Sequence, residues 1–263
     1  MKRIFLILFS MVIILASCSE QPYPDLDREN YIPADKVKLT PADDNFIPVM
    51  MSDEWNDPVP LEGTVNTAGA EDSPFITDDG RFFFFFTPDA QIPAEQQLTD
   101  SVTGIWWCTV DNSVWSEPKR VILNDDVALD GCSFVQGDTL WFGSVRAGNL
   151  GEIDIYRAYY NGSKWTDVEN AGSKLNVDYD IGELHITSDG SQMYYGKYIN
   201  SQYDIYMLTR SGNDWINPVA VENASSSSTD ENLPFITDDG NELWFTGPSV
   251  HGYTGPATFR CLM

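Results

Sequence analysis

One phrase recurs four times along this chain, and its spacing limits the fold more than any other feature. Phe75-Ile76-Thr77-Asp78-Asp79-Gly80 precedes the aromatic run Phe82 to Phe86. Phe134-Val135-Gln136-Gly137-Asp138 precedes Leu140-Trp141-Phe142, and His185-Ile186-Thr187-Ser188-Asp189-Gly190 precedes Met193-Tyr194-Tyr195. Phe235-Ile236-Thr237-Asp238-Asp239-Gly240 precedes Leu243-Trp244-Phe245. The turn glycines Gly80, Gly137, Gly190 and Gly240 are spaced 57, 53 and 50 residues apart. A unit of this length, built of short strands around a tight turn, stacks into a ring or solenoid rather than a two-layer domain.

A second landmark runs out of phase with the first. Trp55, Trp115, Trp165 and Trp215 are spaced 60, 50 and 50, each behind a polar turn, with Pro58, Pro118 and Pro218 three residues on and Val168 the exception. Each unit therefore reads as four strands: one before the Asp-Gly turn, an aromatic one after it, a third through Ile105-Trp106-Trp107 or its equivalents, and a fourth from the Trp to the Pro. Proline is tolerated on an edge strand, which needs no ladder donor there. Four-stranded units with an edge at the rim are the blades of a β-propeller. The unbroken run Phe82 to Phe86 requires burial on both faces, as in a strand held between neighbouring blades. The sequence predicts an all-β propeller of four blades. The unpartnered Trp55 unit predicts that residues near 46–62 supply the outer strand of the last blade and close the ring.

The N-terminus has a separate function. Lys2 and Arg3 precede the apolar run Ile4 to Leu15, the pattern of an export signal. Leu15-Ala16-Ser17-Cys18 resembles the lipobox of bacterial lipoproteins, which implies cleavage before Cys18 and lipid on that residue. Pro22, Pro24, Pro33 and Pro41 follow among charged residues, as in a tether. The expected organisation is a signal peptide over 1–17, a lipidated tether over 18–44 and a propeller over 45–263. The expected location is the bacterial cell envelope, at the outer membrane, on the periplasmic or the surface face.

Charge narrows the partners. The chain carries a formal net charge of −25, and loss of Lys2 and Arg3 with the signal brings it to −27. Such a surface repels phosphate backbones, which excludes nucleic-acid binding; a glycan or an envelope protein remains as partner. With Cys18 lipidated, Cys108, Cys132 and Cys261 are left, an odd number. They read as buried thiols more readily than as a disulfide.

The phrase Phe-Ile-Thr-Asp-Asp-Gly with its aromatic strand, and Asp154-Ile155-Tyr156 and Asp204-Ile205-Tyr206, is similar to the WD40-like repeats of the TolB type. This resemblance covers about residues 45–263 and implies a binding scaffold or a domain attached to an enzyme. The second repeat lacks the Asp-Asp-Gly and the fourth lacks the Asp-Ile-Tyr.

Chemistry-bearing residues are few. The sequence holds no zinc-protease, nucleophile-elbow or phosphate-loop motif. Asp78, Asp79, Asp189, Asp238 and Asp239 are turn formers, and no spaced-oxygen loop supports a structural calcium ion or another cofactor. Of the two histidines, His185 stands in the column of Phe75, Phe134 and Phe235 and reads as core. His251 lies in a Gly-rich loop with Tyr253, a candidate ligand contact. The strongest signal is an acid four residues before the column ring: Glu71, Asp130 and Glu231, replaced in the third unit by Ile181 with Glu183 two residues on. A shift of two along a strand keeps the face, so these carboxylates, with Asp72 and Asp230, are expected to ring one mouth of the channel. Asp72-Ser73-Pro74, Asp130 and Glu183 also resemble the Asp, Asp, Glu order of arabinanase- and xylosidase-type propeller glycoside hydrolases. That resemblance implies Asp72 as base, Asp130 as orienting carboxylate and Glu183 as acid. Two functions follow: a tethered binding propeller without catalysis, or a glycoside hydrolase.

Overall fold

Every recurring phrase closes a hairpin by the same local chemistry. A computed structural model describes residues 26–43, 52–61, 63–123, 127–225, 229–248 and 257–263. In three of its turns the glycine N–H donates to the threonine carbonyl, at 2.9 Å for Gly80 to Thr77 and 2.8 Å for Gly190 to Thr187 and Gly240 to Thr237. The glycines hold φ of +81°, +70° and +70°, a region where a Cβ is penalised. The Thr187 and Thr237 hydroxyls donate to Asp189 and Asp239 at 2.7 Å, which with backbone N–H bonds holds those carboxyls below their ordinary range. The aspartates of these turns thus shape the backbone, as their sequence context predicts.

Four antiparallel sheets follow in chain order and form the four blades of the propeller. Blade 1 comprises β1 (Ala70–Ile76), β2 (Arg81–Thr87), β3 (Gly104–Asp111) and the two short pieces β4 (Val114–Trp115) and β5 (Lys119–Arg120), both paired to β3. Blade 2 comprises β6 (Ala128–Gln136), β7 (Thr139–Arg146), β8 (Asp154–Tyr160) and β9 (Trp165–Asn170). Blade 3 comprises β10 (Ile181–Ile186), β11 (Gln192–Ile199), β12 (Gln202–Ser211) and β13 (Asp214–Ala220). Blade 4 has β14 (Asn232–Ile236), β15 (Glu242–Gly247) and β16 (Ala257–Leu262).

Packing between blades repeats with the sequence. Odd and even members of each second strand face opposite neighbours. Phe83 packs with Leu140, Phe142 and Trp165 across the first interface. Trp141 packs with Met193, Tyr195 and Trp215 across the second, and Tyr194 with Leu243 and Phe245 across the third. Phe83, Phe84 and Phe86 are sealed on both faces of β2, as the unbroken run demands. Each such ring contributes about 1.5–3 kcal/mol by burial. The turns add cross-blade bonds: Arg81 Nη2 donates to the Gly137 carbonyl at 3.1 Å, Gln136 Nε2 to that of Thr187 at 2.7 Å and Ser188 Oγ to that of Asp238 at 2.7 Å.

The N-terminal segments occupy the two blade faces left over. Leu26 and Ile32, either side of a short helix Arg28–Tyr31, lie over Phe82, Phe84, Phe86 and Trp106 of blade 1. Arg28 is inserted between these rings, 4.7 Å from the Phe86 centroid, and its Nη1 donates to Glu71 at 3.1 Å. Part of the expected tether is therefore packed onto the body. Trp55 meets blade 4, where the repeat phase places it, edge-on to Trp244 at 5.6 Å, and Glu54 pairs with Arg260 at 2.7 Å. This contact is made through side chains. Residues 52–61 form no ladder with blade 4, which keeps three strands among the described residues; the rest of the expected closing strand, 46–51 and 62, lies outside them. Trp55 also lies on the opposite face from its counterparts: Trp115, Trp165 and Trp215 cover the preceding side of their blades, Trp55 the far side.

Candidate functional site at the channel mouth

All four inner strands carry an irregularity at the same place. The pairing register slips between Asp72 and Phe75, Gly131 and Phe134, Ile181 and Leu184, and Asn232 and Phe235. Ser73, Cys132 and Leu233 hold φ of +49°, +52° and +55° there, a strained region for residues with a side chain. Glu183 occupies the same position in blade 3. Bulges re-aim side chains, and these turn one residue per blade toward the mouth.

Below the bulges four rings stand side by side across the channel, sealed at Phe134 and His185 and open at Phe235, which is 46% exposed. The rings of Phe75 and Phe134 are 5.2 Å apart, those of Phe134 and His185 4.5 Å, and those of His185 and Phe235 4.6 Å. His185 is 7% exposed, and its Nδ1 finds no hydrogen-bond partner. Burial pushes its pKa down to about 3, so it serves as a neutral flat ring in this plug.

Above the plug, Cys132 Sγ donates to Glu183 Oε1 at 3.1 Å and joins blades 2 and 3. Burial raises the Glu183 carboxyl above its ordinary range, and the Asp72 charge adds to this; the bond from Cys132 opposes both. Of the three cysteines expected as buried thiols, only Cys108 is buried; Cys132 is exposed and Cys261 half-buried, since the bulge turns Cys132 outward and Cys261 lies on the last strand. Desolvation of the Cys132 sulfur by the surrounding protein, with Glu183 and Asp72, pushes its thiol up, so it stays protonated and suits hydrogen-bond donation rather than nucleophilic attack. Asp72 itself is exposed, its carboxylate accepting from the Ser73 N–H at 2.7 Å. At the rim, the rings of Tyr198 and Tyr203 stand 5.0 Å apart on the β11–β12 turn, 53% and 36% exposed. Ile153 and Leu150 are exposed on the β7–β8 loop at the same end.

The expected ring of carboxylates is split. Asp130 is not in the mouth: it is 4% exposed, accepting from Arg146 at 2.6 Å and from Ser144 at 2.7 Å. Glu71 accepts from Arg28 and from the N–H and hydroxyl of Thr67. Glu231 is buried and accepts from Thr229 at 2.6 Å, while Asp230 accepts from the Tyr203 N–H at 2.8 Å. The reason is the bulge. It falls on the residues two and one before the ring, as at Ser73-Pro74 and Cys132-Ser133, and breaks the two-residue alternation between the acid and the ring. Glu71, Asp130 and Glu231 therefore turn into their own sheets, and Glu183 alone of the column reaches the mouth, with Asp72 nearby. Cys132 could have been found by counting back two residues from each ring. The tyrosine pair had no such marker. His251, Tyr253 and Cys18 lie outside the described residues, within which no group of three or more His, Cys, Asp or Glu is placed to hold a metal ion.

No family model matches the chain, and no curated protein matches it. Among solved structures the fold is similar to a putative TolB from Agrobacterium tumefaciens, with 14% identity and a TM-score of 0.45 over 76% of this chain and 60% of that one. It is similar to TolB from Acinetobacter baumannii, with 16% identity and a TM-score of 0.36 over 71% and 53%. It is also similar to a family 117 glycoside hydrolase from Zobellia galactanivorans, with 11% identity and a TM-score of 0.38 over 72% and 67%. This chain thus spans less than two thirds of the first of these. At such identities the likeness is one of fold, and it includes both kinds of propeller that the sequence motifs resemble.

Proposed function

We propose that this is a lipid-anchored cell-envelope protein whose propeller binds a neutral glycan at the channel mouth without catalysis. The observation that carries this reading is the division of the carboxylates. Asp130 and Glu71 are held by Arg146 and Arg28, and four neighbouring rings form a partial floor beneath Glu183. A mouth with a floor, a hydrogen-bonding carboxyl–thiol pair and an exposed tyrosine pair suits sugar rings, which stack on aromatic faces and bond through hydroxyls. The anchor rests on the Leu15-Ala16-Ser17-Cys18 sequence; the described residues hold no helix long and apolar enough to cross a membrane. The test is retention on a panel of insoluble and soluble polysaccharides. Tyr203→Ala and Tyr198→Ala should each weaken retention about five- to thirtyfold, the equivalent of one lost stacking contact of about 1–2 kcal/mol. Retention unchanged in both variants sinks the mouth as the glycan site, and absence of any glycan retention moves the ligand to a protein.

A second reading has one observation in its favour. A carboxyl raised by burial beside a second carboxylate is the arrangement of a glycosidic general acid, and Glu183 with Asp72 has that form. In this reading Glu183 protonates the leaving oxygen and Asp72 activates water. Asp130 acts only through the Arg146 pair.

A further inference from the structure

We propose that residues 26–36 are a strap that holds the propeller close to the membrane, with Arg28 as its latch. The proposal rests on the lipid anchor at Cys18 in the reading above. The sequence alone leaves residues 18–44 as a tether, but in the structure the chain is seated on the body from Leu26 onward. Leu26 and Ile32 lie on the aromatic face of blade 1, and between them the Arg28 side chain, 4% exposed, fills a cage. Its guanidinium carbon stands 4.9 Å, 4.7 Å and 5.9 Å from the ring centroids of Phe84, Phe86 and Trp106. Nη1 donates to Glu71 at 3.1 Å, and Nη2 donates to the carbonyls of Thr64 and Val65. Aromatic faces, a carboxylate and two carbonyls match a flat cation with forked donors, and a lysine ammonium does not meet them all at once.

The hold is concentrated at this cage. Lys36 pairs with Asp89 at 2.8 Å, but its side chain is 30% exposed, and a pair open to water adds little. Residues 37–43 are exposed. Glu71 and Asp89 both belong to the mouth end of blade 1, Glu71 at the start of β1 and Asp89 just past the end of β2. The strap is therefore fastened at the same end as the glycan mouth. Length decides the consequence. Eight residue steps separate Cys18 from Leu26, and a chain spans at most about 3.3–3.6 Å per residue, so the seated body stands no more than about 26–29 Å from the anchor. This bound holds whatever path the intervening residues take. With the strap released, the next tie among the described residues is Glu54 to Arg260, 36 steps from Cys18, and the limit rises to about 120–130 Å. Seated, the strap keeps the mouth to glycans carried near the lipid headgroups; released, it lets the mouth reach well beyond them.

The test uses the full chain, produced with its signal peptide so that Cys18 is processed, on a supported phosphatidylcholine bilayer. Neutron reflectometry reads the water gap between headgroups and protein. Wild type should show a gap within about 30 Å, and Arg28→Ala a gap at least twice as wide. Ile32→Asp, which leaves Arg28 and the blades untouched, is the second variant and should widen the gap likewise. Hydrogen exchange at the amides of residues 28–32 should rise at least tenfold in Arg28→Ala and in Arg28→Lys, with exchange in blades 2 and 3 unchanged. A wild-type gap as wide as that of Arg28→Ala overturns the strap and leaves the anchor standing. Equal exchange at residues 28–32 in wild type and Arg28→Ala, or a strap held as well by lysine as by arginine, overturns the latch. Mass spectrometry that finds Cys18 without lipid sinks the anchor, and the strap's role with it. Glycan retention in solution is a separate readout, so the mouth can fail or stand without the strap.

Discussion

Replacing Asp130 by Asn tests whether this carboxylate holds the blade or serves the mouth. Arg146 Nη2 lies 2.6 Å from Asp130 Oδ1, the Ser144 hydroxyl donates to the same oxygen at 2.7 Å, and Arg146 Nε donates to the Ser144 oxygen at 2.7 Å. The two side chains are 4% and 6% exposed, and the guanidinium lies 4.7 Å from the Tyr156 ring centroid. Asp130→Asn keeps the shape and removes the carboxylate charge that faces the buried guanidinium at 2.6 Å. Breaking one side of such a pair costs about 3–5 kcal/mol. For a domain of this size each kcal/mol shifts Tm by roughly 2–4 °C, so a fall of about 6–20 °C is expected. Urea unfolding followed by tryptophan fluorescence reads the same loss as a lower midpoint at unchanged slope. Glu169→Gln is the control: its pair with Arg157 is substantially exposed and should contribute less than about 1 kcal/mol. Asp130→Leu combined with Arg146→Met should recover most of the loss, since a buried pair often stabilises no better than apolar residues of similar volume. If Asp130→Asn instead costs no more than the control, Asp130 is not a buried structural partner, and it returns to the mouth as a carboxylate available for chemistry.

Further outcomes follow from the same structure. His185, held neutral with a pKa of about 3 against about 6.5 unfolded, makes the unfolded chain the stronger proton binder between those values. The wild type is free of this penalty above pH 6.5 and loses about 1.4 kcal/mol per pH unit on acidification until the folded group titrates near 3; stability curves of the wild type and His185→Phe should run parallel above pH 6.5 and separate below it by that slope, with the wild type falling. Cys132→Gly should be neutral or stabilise by up to about 1 kcal/mol because φ of +52° suits glycine, whereas Cys132→Val should destabilise, both read as urea midpoints. Arg28→Ala removes an ion pair, two carbonyl contacts and a guanidinium stacked on Phe84 and Phe86; it should release Leu26–Ile32 to limited proteolysis before the blades unfold.

Much of the architecture was legible because it depends on period. The Asp-Gly turns, the double-sided burial of Phe82, Phe83, Phe84 and Phe86 and the assignment of His185 to a ring column all follow from spacing, and the structure places them as expected; Phe85 of the same run is only half-buried. Four blades could be counted, and Trp55 could be assigned to the last of them. The face that Trp55 takes could not, because a side-chain contact leaves no pairing pattern in the sequence. The acid column misled for a more specific reason. Glu71, Asp130 and Glu231 share a count with respect to the ring, but a one-residue bulge between the acid and the ring inverts which face that count denotes. Pro74 and Pro234 fall at the slips and are the one sequence marker of the bulge, since a proline inside a strand marks an edge or a bulge; Cys132-Ser133 carries no such marker. The partners of those acids, Arg28 and Arg146, lie 43 and 16 residues away, outside any local motif.

The most direct test of the central claim is reducing-end release from every polysaccharide that the protein retains, measured at saturating glycan for wild type and Glu183→Gln. A binding propeller gives no release above the protein-free blank over a day, with retention by both forms equal within a few-fold. Sustained release by wild type that Glu183→Gln abolishes while sparing retention contradicts the non-catalytic reading and assigns Glu183 as the general acid.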